Sequence, residues 1–404
     1  MRVIICGAGI AGLALAQRLD AQGAAVTVLE KAPGPRAGGY MIDFFGPGYD
    51  AAEAMGVLPR ILELGYHIDD LAYRDDAGRR RATLRFARFA KAAGGRVISV
   101  MRPDLERALR ESLPDRVDLR YGNTLTAVDN HADGVTVTLH DGSRLDADLL
   151  VGCDGIHSTV RALAFGPESD YLRYLGFHTA AFTFTDPVAR DAVGDRVGMT
   201  DSLHRAMGFY GLRDGRVAVF AVHPAPDPAL PGDPRAALRR EYRDLGWIAP
   251  RALAACPPPE QVYYDQVAQV VMPAWTRGRT TLLGDAAYAV SLLAGQGAAL
   301  AVAGAYVLGE HLDRAASVEA ALAGYEQALR PVVLDKQETA RKGVRWFVPT
   351  TRTQLRLRHA ALAAARLPIA DRLVATALIG KPTAIIADLA DRAHRPALVP
   401  SHRT

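Results

Sequence analysis

Residues 1–30 read MRVIICGAGIAGLALAQRLDAQGAAVTVLE, and this stretch decides the fold. Residues 2–6 are apolar and predict a strand, residues 13–20 continue at helical spacing, and residues 25–29 are rich in β-formers. Between the strand and the helix, residues 7–12 fit the pattern G-x-G-x-x-G. The stretch therefore predicts a β-α-β unit whose glycine turn binds a dinucleotide.

Each glycine of this turn has a physical role. Gly7 permits a tight turn, Gly9 lets the backbone approach a pyrophosphate, and Gly12 lets the helix pack on the strand. The helix start offers free N–H groups and the positive end of a dipole to the phosphates. Glu30 stands 23 residues after Gly7, where a carboxylate accepts ribose hydroxyls. The alternative is a glycine-rich turn of an ordinary α/β domain, which would not require this acid in register.

Composition bounds the class of protein. At 404 residues the chain is long enough for two domains or for one domain with a large insertion. The net charge of +4 comes from scattered arginines, so we expect no nucleic-acid partner. Three cysteines make no disulfide framework and suit a reduced cytoplasm. The chain starts on its first strand, so we expect no signal peptide, and no apolar run reaches the roughly 18 residues of a transmembrane helix.

The pattern changes along the chain and predicts an insertion. Residues 171–271 contain β-rich segments separated by turns and two proline-rich stretches, which predict an inserted sheet over the cofactor. We expect a discontinuous nucleotide-binding domain at 1–170 and 272–340, with small strands within 71–100 that belong to the substrate side. Residues 341–404 predict a helical C-terminal segment. The expected fold class is α/β, with a Rossmann-like domain, an inserted β-sheet substrate domain and a helical C-terminus.

Two further stretches place carboxylates at the ends of strands. Residues 149–161 read LLVGCDGIHSTVR, in which an apolar strand ends at Asp154. Residues 284–288 read GDAAY, and residues 294–297 then read AGQG before a helix. Ligands of open α/β sheets bind outside the carboxyl ends of the strands, where Asp154 and Asp285 are predicted to lie. The second glycine turn predicts another helix start that suits an anion.

These three ordered motifs resemble the class A FAD-dependent aromatic monooxygenases, a 4-hydroxybenzoate hydroxylase-like family that includes tetracycline-inactivating and polyketide-tailoring hydroxylases. The resemblance covers nearly the whole chain and implies FAD as the cofactor. It implies that residues 7–12 and Glu30 hold the diphosphate and ribose, and that Asp285 holds the ribityl chain. Asp154 and Gly155, with Ser158 and Arg161, resemble the family motif that binds both FAD and NAD(P)H.

The resemblance assigns further residues to the cofactor. Arg102 resembles an arginine that reaches FAD from its helix, and the turn after residue 294 places amides near the flavin's pyrimidine edge. Lys31 keeps the charge of an arginine that commonly follows the ribose acid, and Arg36 lies in the next loop. The predicted cofactor-binding residues are Gly7, Gly9, Gly12, Glu30, Lys31, Arg36, Arg102, Asp154, Asp285, Gly295, Gln296 and Gly297. The chain departs from the family at Tyr288, where histidine is frequent, and at Ser291 and Leu292, where prolines are usual.

The resemblance also implies a reaction. NADPH or NADH reduces FAD, O2 adds at C4a, and the flavin hydroperoxide hydroxylates or epoxidises an aromatic or polycyclic small molecule, as in secondary metabolism or antibiotic modification. Because the flavin carries the chemistry, neither a catalytic side chain nor a metal is assigned. We expect a cytoplasmic monomer or homodimer.

Substrate contacts are predicted at Asp43, Tyr210 and Phe220. Asp43 follows a glycine pair where the family's chain passes near the flavin, and the other two lie in the inserted sheet. His178, His204, Arg205 and His223 also lie in that sheet, although surface or packing roles are more frequent for single polar residues there. Phe182, Phe184 and Phe209 form an aromatic wall or simply a core.

Other readings of the same motifs stay open. A reductase of the geranylgeranyl type shares the fold and would reduce its substrate without O2. A halogenase is disfavoured because related halogenases carry a Trp-x-Trp-x-Ile motif, whereas the tryptophans of this chain are isolated at Trp247, Trp275 and Trp346. A flavin-binding redox module without turnover belongs to a different class. A plain NAD-dependent dehydrogenase would leave Asp285 without a role.

Overall fold

The computed structural model describes residues 1–36, 38–364 and 383–393. Its strands are β1 (Arg2–Cys6), β2 (Ala25–Glu30), β3 (Met41–Phe45), β4 (Asp70–Arg74), β5 (Arg80–Arg85), β6 (Val97–Met101), β7 (Asp118–Tyr121), β8 (Leu125–Asn130), β9 (Val135–Leu139), β10 (Arg144–Ala147), β11 (Leu149–Gly152), β12 (Leu172–Thr185), β13 (Val197–Ser202), β14 (Arg205–Gly211), β15 (Arg216–Pro224), β16 (Tyr263–Val270), β17 (Thr276–Arg277) and β18 (Thr280–Leu282). Its helices are α1 (Ile10–Ala21), α2 (Pro47–Ala54), α3 (Leu58–Leu64), α4 (Phe86–Ala92), α5 (Arg102–Glu111), α6 (Thr159–Ala164), α7 (Pro187–Val193), α8 (Pro234–Tyr242), α9 (Ala249–Ala254), α10 (Asp285–Tyr288), α11 (Gly297–Arg314), α12 (Val318–Phe347), α13 (Arg352–Ala364) and α14 (Ile385–Ala393).

The N-terminal stretch builds the centre of a mainly parallel sheet. Its strand order is β17-β18-β11-β1-β2-β7, and β1 pairs in parallel with both β2 and β11. A central parallel strand is covered on both faces and therefore reads as a continuous apolar run. Val3, Ile4 and Ile5 are accordingly buried. The predicted β-α-β unit and α/β class are confirmed.

Two stretches whose sequence predicts one element each form two elements in the structure. The apolar spacing of residues 51–64 predicts a single helix, but α2 ends at Ala54 and α3 begins at Leu58, because Gly56 between them adopts a φ of +73°. Residues 145–151 predict a single strand, which is divided between β10 and β11. At that break the Asp148 carboxylate accepts a 2.7 Å hydrogen bond from the Arg2 backbone N–H, which fastens the turn to β1.

The inserted region forms a second sheet with the order β16-β12-β15-β14-β13-β4-β5. The small strands expected within 71–100 are divided between two sheets. β4 and β5 join the inserted sheet, with β4 parallel to β13, whereas β6 pairs antiparallel with β3 in a two-stranded ribbon. One face of the inserted sheet packs against α7, α8 and α9, and its other face turns towards the ribbon.

The helical C-terminal region is hydrogen-bonded to the edge strand β16 of the inserted sheet. The side-chain amide of Gln269 on β16 donates to the carbonyl oxygens of Val290 (3.0 Å) and Gln337 (2.9 Å). The amide of Gln337 on α12 donates to the Val270 carbonyl at 2.7 Å. Residues 365–382 and 394–404 of the predicted helical segment lie outside the described residues. None of the described helices is long and apolar enough to cross a membrane.

Candidate active site

The glycine turn leaves the start of α1 open. Gly7 has a φ of +108°, and a Cβ there would lie 2.5 Å from the Cys153 carbonyl oxygen. A Cβ on Gly12 would lie 1.9 Å from the Gly7 carbonyl oxygen. Gly9 is the N-cap of α1 and provides no side-chain cap, and a Cβ there would meet only the Arg102 guanidinium, at 3.7 Å. Gly7 and Gly12 are therefore required by packing, and Gly9 keeps the helix N-terminus accessible to a phosphate.

Glu30 is fixed beside this turn at the end of β2. Its Oε2 accepts from the Ala8 N–H at 2.9 Å, and its Oε1 accepts from the Ala32 N–H at 2.8 Å. Each carboxylate oxygen keeps a further lone pair that can accept a ribose hydroxyl. The cleft around it is lined by Cys6, Gly7, Ala8, Gly9, Leu29, Glu30, Lys31, Gly34, Arg36, Arg102, Glu106, Tyr121, Asn123, Thr124, Cys153, Asp154, Gly155 and Thr159.

Arg102 lines the cleft at the glycine turn and lies within electrostatic range of Asp285. It begins α5, and its Nη1 donates to Glu106 Oε2 at 3.0 Å. Burial raises the pKa of Glu106, and the charges of Arg102 and Arg36 oppose that rise. The same guanidinium opposes the rise in the pKa of Asp285 that burial causes. Arg102 therefore lies near both the glycine turn and the Gly-Asp motif.

Asp154 chiefly organises its own loop. Its carboxylate accepts from the Ser158 hydroxyl at 2.5 Å and from the backbone N–H groups of Thr159 (2.7 Å) and Val160 (3.1 Å). Burial raises its pKa, and these hydrogen bonds oppose the rise. Asp154 lines the cleft, so its contact with the cofactor stays a prediction, but most of its oxygen lone pairs serve the start of α6.

A buried arginine joins the Asp-Gly loop to the Gly-Asp loop. The Arg161 side chain is fully buried, and its Nη1 donates to the Ala286 carbonyl at 3.0 Å. Its Nη2 donates to the Ile156 carbonyl at 2.6 Å and to Glu168 Oε2 at 2.8 Å. The conformations of the two motifs are therefore coupled.

Asp285 and the second glycine turn lie together. Gly284 precedes α10 with a φ of +68°, and Gly295 adopts the left-handed conformation at +64°. Asp285 Oδ1 would lie 3.4 Å from a Cβ on Gly297, the first residue of α11. Asp285 is accessible to solvent although protein surrounds it, because it faces a cleft inside the fold; this enclosure raises the pKa of its carboxyl. A carboxylate and a helix N-terminus thus meet at a second site, which lies near Arg102.

Tyr288 has room because of a distant glycine. Its ring is buried, and its hydroxyl lies 3.4 Å from the Tyr325 hydroxyl, which donates to the Leu282 carbonyl at 3.1 Å. A Cβ on Gly304 would lie 2.2 Å from the Tyr288 hydroxyl. In the following loop Ser291 has a φ of +95°, a strained conformation for a residue with a Cβ, and its hydroxyl accepts from the Leu293 N–H at 3.3 Å.

The β3–β6 ribbon carries Asp43 towards the inserted sheet. Asp43 is paired with Ser99, whose hydroxyl donates to Asp43 Oδ1 at 2.6 Å. Ile42 and Phe44 point the other way into the main core, whereas Met41 shares the face of Asp43 and packs near the inserted sheet. Asp43 is accessible to solvent within this enclosure, and burial raises the pKa of its carboxyl.

Tyr210 and Phe220 approach Asp43 from the sheet. Tyr210 is paired with Ala218, and Phe220 is paired with Gly208 and Ala181, so these side chains share one face. Burial raises the pKa of Tyr210, and the charge of Asp43 adds to the rise. The Tyr40 ring, just before β3, lies 6.2 Å from the Phe220 ring. The three residues therefore lie on facing surfaces of the ribbon and the inserted sheet, and we call the space between these surfaces the substrate cleft.

Several polar residues of the inserted sheet lie elsewhere. His223 Nδ1 lies 3.0 Å from the Tyr242 hydroxyl, and the Tyr264 hydroxyl lies between His223 (3.2 Å) and His178 (3.4 Å). These residues occupy the face covered by α8 and α9, where burial lowers the pKa of His223 to about 4. Phe182, Phe184 and Phe209 belong to the core on that same face. His204 lies in a turn with a φ of +67°, and Arg205 pairs with Asp244 at 3.0 Å.

Sequence reasoning missed a set of residues between the two sheets. Tyr263 lies on the cleft face, with its ring 5.8 Å from Tyr40. His157, in the Asp-Gly loop, lies 3.2 Å from Asp265 on β16 and 3.0 Å from Glu168. The pattern around Asp154 placed His157 in a loop, but nothing in the sequence linked it to β16.

Comparison with known proteins decides the family. A family model described as an FAD binding domain matches residues 1–339. The chain belongs to this family, the class A flavin-dependent monooxygenases. A flavin-dependent monooxygenase from an unknown prokaryotic organism is 31% identical over 346 residues, which cover 82% of this chain and 86% of that protein. One from Legionella longbeachae serogroup 1 is 29% identical over 314 residues, covering 77% and 80%.

Solved structures agree with this flavin monooxygenase fold. The tetracycline destructase Tet(55) is 26% identical, with a TM-score of 0.77 over 90% of this chain and 95% of that one. Klebsiella pneumoniae HpxO, solved with FAD and uric acid, is 26% identical, with a TM-score of 0.78 over 95% and 97%. The predicted family, fold class and FAD cofactor are confirmed. The chain is an FAD-dependent oxidoreductase.

The residues of this flavin monooxygenase suit FAD in three places. The start of α1 is uncapped and open at Gly9, the Glu30 carboxylate is held beside it, and Asp285 adjoins a second helix N-terminus. Arg102 lies near the first and the third of these places. These three places provide the donors for a diphosphate and the acceptors for ribose and ribityl hydroxyls that FAD requires.

Proposed function

We propose that this enzyme inserts one oxygen atom from O2 into an aromatic or polycyclic small molecule, with NADPH or NADH as the reductant. The observation that supports the proposal is that Tyr40 lies next to the cleft face of the inserted sheet, with its ring 6.2 Å from Phe220, and also lies within electrostatic range of Asp285. FAD, when bound, supplies the redox and oxygen chemistry. The protein residues bind the cofactor, orient the substrate and exclude water.

The cofactor contacts follow from the geometry of the cleft. We assign the diphosphate to the N–H groups at the start of α1 and the ribose hydroxyls to Glu30. Arg102 neutralises the phosphates, and Lys31 and Arg36 add positive charge at the same end. We assign Asp285 as the acceptor of hydrogen bonds from the ribityl hydroxyls, and the backbone amides of residues 295–297 to the pyrimidine edge of the flavin. Asp154 supports this site through its loop.

The substrate contacts are assigned to the cleft face of the inserted sheet and to the ribbon. Phe220 and Tyr40 provide aromatic surface, and their ring centroids lie 6.2 Å apart. Asp43 and Tyr210 provide polar groups that orient an aromatic ligand. We assign no catalytic side chain, because FAD, when bound, would carry the oxygen chemistry.

The proposal also includes the domain boundaries, the oligomeric state, the location and the metabolic role of the protein. The domain boundaries at residues 170/171 and 271/272 and a monomeric or homodimeric state are part of it. A reduced, cytoplasmic location is also proposed, and it agrees with Cys6, Cys153 and Cys256 being buried free thiols. A role in secondary metabolism or antibiotic modification is proposed for the substrate class.

Oxygen dependence tests the proposal. Purified protein loaded with FAD should consume NADPH or NADH faster when a suitable aromatic compound is present, and the product should gain one oxygen atom by mass spectrometry. The same reaction under nitrogen should give no product. Reduction of the substrate under nitrogen would instead identify a reductase, and flavin binding without any turnover would identify a redox module.

A further inference from the structure

The ribbon places an ionisable carboxyl group directly in the substrate cleft. Asp43 and Met41 alternate with Ile42 and Phe44, so Asp43 faces the inserted sheet while its neighbours enter the core. Its side chain remains accessible although the surrounding chain encloses it. Asp43 is therefore presented to whatever ligand fills the cleft.

Among the salt bridges of the described residues, none involves Asp43. Two carboxylates on the cleft face of the inserted sheet do have cationic partners. Asp265 pairs with His157 at 3.2 Å, and Asp201 pairs with Arg358 and, at 3.1 Å, with His359. Among the hydrogen bonds of the described residues, Asp43 accepts only from the Ser99 hydroxyl, at 2.6 Å. A carboxylate oxygen that accepts a single hydrogen bond can accept another from a ligand.

The part of the inserted sheet that is closest to Asp43 is apolar or aromatic, since Tyr210 lies within electrostatic range of Asp43 and Tyr73 lies near Tyr210. Phe220, Tyr210, Met199 and Tyr73 lie on the cleft face of the sheet and are each partly accessible. These side chains suit a flat, uncharged ring system. In such surroundings an anionic ligand group near Asp43 would be repelled, whereas a donor would be bound.

We propose that Asp43 sets the substrate class: the cleft selects aromatic ligands that carry a hydrogen-bond donor, such as a phenol or an aromatic amine, and rejects aromatic carboxylates. The inference rests on the proposed function, because it places the substrate in the cleft beside Asp43. Ser99 orients the carboxylate, and Tyr210 offers a second polar group to the same ligand. Asp43 acts as a specificity residue and takes no part in oxygen transfer.

Two probes of similar shape and opposite character test this inference. FAD-loaded protein is titrated at pH 8 with 2-naphthol and with 2-naphthoate, and binding is followed by the change in flavin absorbance. The wild-type protein should bind 2-naphthol at least about ten-fold more tightly, as expected for one donor hydrogen bond gained and one charge repulsion avoided. The variant Asp43→Asn keeps the size of the side chain and its bond with Ser99, so the ratio of the two affinities should fall by at least about ten-fold, mainly because 2-naphthoate binds better.

The controls separate this inference from the proposed function. Asp50→Asn removes a carboxylate on α2 that pairs with Arg96 and lies outside the cleft. This variant should leave the ratio of the two affinities unchanged. Equal affinities in the wild type, tighter binding of 2-naphthoate, or no binding of 2-naphthol would overturn the inference, and so would an Asp43→Asn variant with the wild-type ratio. The wild-type comparison holds even if that variant fails to fold. Protein that binds FAD and consumes O2 but fails this test would keep the proposed function and lose only the assignment of Asp43.

Discussion

His157 Nε2 lies 3.2 Å from Asp265 Oδ1, and His157 Nδ1 lies 3.0 Å from Glu168 Oε1. Both ring nitrogens face carboxylates, so both can donate only when the ring is a positively charged imidazolium. The hydrogen bonds to these carboxylates raise the pKa of His157 to about 9. Because His157 belongs to the Asp-Gly loop and Asp265 to β16, this ion pair links the cofactor side to the inserted sheet.

The stabilising effect of His157 should depend on pH. The pKa of His157 in the folded protein lies above its ordinary value. Its contribution to the free energy of unfolding is therefore complete below about pH 6.5 and is lost as the pH rises through about 9. The side chain is 44% exposed, so screening limits the effect to about 1 kcal/mol. Urea unfolding at fixed FAD concentration should give a His157→Gln variant less stable than the wild type at pH 6 and equally stable at pH 10. His140→Gln, at an exposed position, should match the wild type at both; a pH-independent deficit in His157→Gln would contradict the account.

Replacing Asp285 should weaken FAD binding without unfolding the protein. Asp285→Asn keeps the size of the side chain but removes the carboxylate that accepts hydrogen bonds from the ribityl hydroxyls. We expect the Kd for FAD to rise about ten-fold or more, which corresponds to about 1.4 kcal/mol. Flavin fluorescence titration measures this, with Asp141→Asn in an exposed turn as the control. A variant that retains FAD as the wild type does would remove Asp285 from the cofactor site.

Gly12 and Gly9 of the first turn should respond differently to replacement by alanine. Gly12→Ala brings a Cβ to 1.9 Å from the Gly7 carbonyl oxygen, so this variant should be destabilised by several kcal/mol or fail to fold. Gly9→Ala adds a Cβ with 3.7 Å of clearance and a permitted backbone conformation, so its thermal stability without FAD should be close to wild type. Its FAD affinity should fall, because the methyl group occupies the approach of the pyrophosphate. Stability and affinity that change together in Gly9→Ala would argue against a separate binding role.

Tyr288, which stands where the family often has histidine, should be energetically coupled to Gly304. Gly304→Ala places a Cβ 2.2 Å from the Tyr288 hydroxyl and should destabilise the protein by about 1–3 kcal/mol. Adding Tyr288→Phe removes the clashing oxygen and should recover part of that loss, since Leu283 and Leu329 are also close to this position. Urea unfolding of the two single variants and the double variant measures the coupling. Strictly additive effects would show that the two positions do not interact.

The cofactor side of the molecule was readable from the sequence because each motif is a continuous stretch. The spacing from Gly7 to Glu30 reflects one β-α-β unit, and Asp285 directly follows a strand. The substrate cleft depends instead on pairings between distant residues. Asp43 and Ser99 are 56 residues apart, and His157 and Asp265 are 108 residues apart.

Periodicity also does not say which face of a strand meets which neighbour. His178 and Phe220 both lie in β-rich stretches of the inserted region, yet only Phe220 reaches the cleft, because the register of β12 against β15 sends His178 to the covered face. The break at Gly56 was missed for a related reason: the apolar spacing on both sides of it continues a single helical pattern. Local composition therefore predicted the elements, and tertiary packing decided their use.

The central claim is that this FAD-dependent enzyme transfers oxygen from O2 to an aromatic molecule. The most direct measurement is mass spectrometry of the product formed from NADPH and a panel of phenols under isotopically labelled O2. The account predicts a product that carries one labelled oxygen atom and that does not form under nitrogen. A product without the label, or one formed equally well under nitrogen, would contradict it.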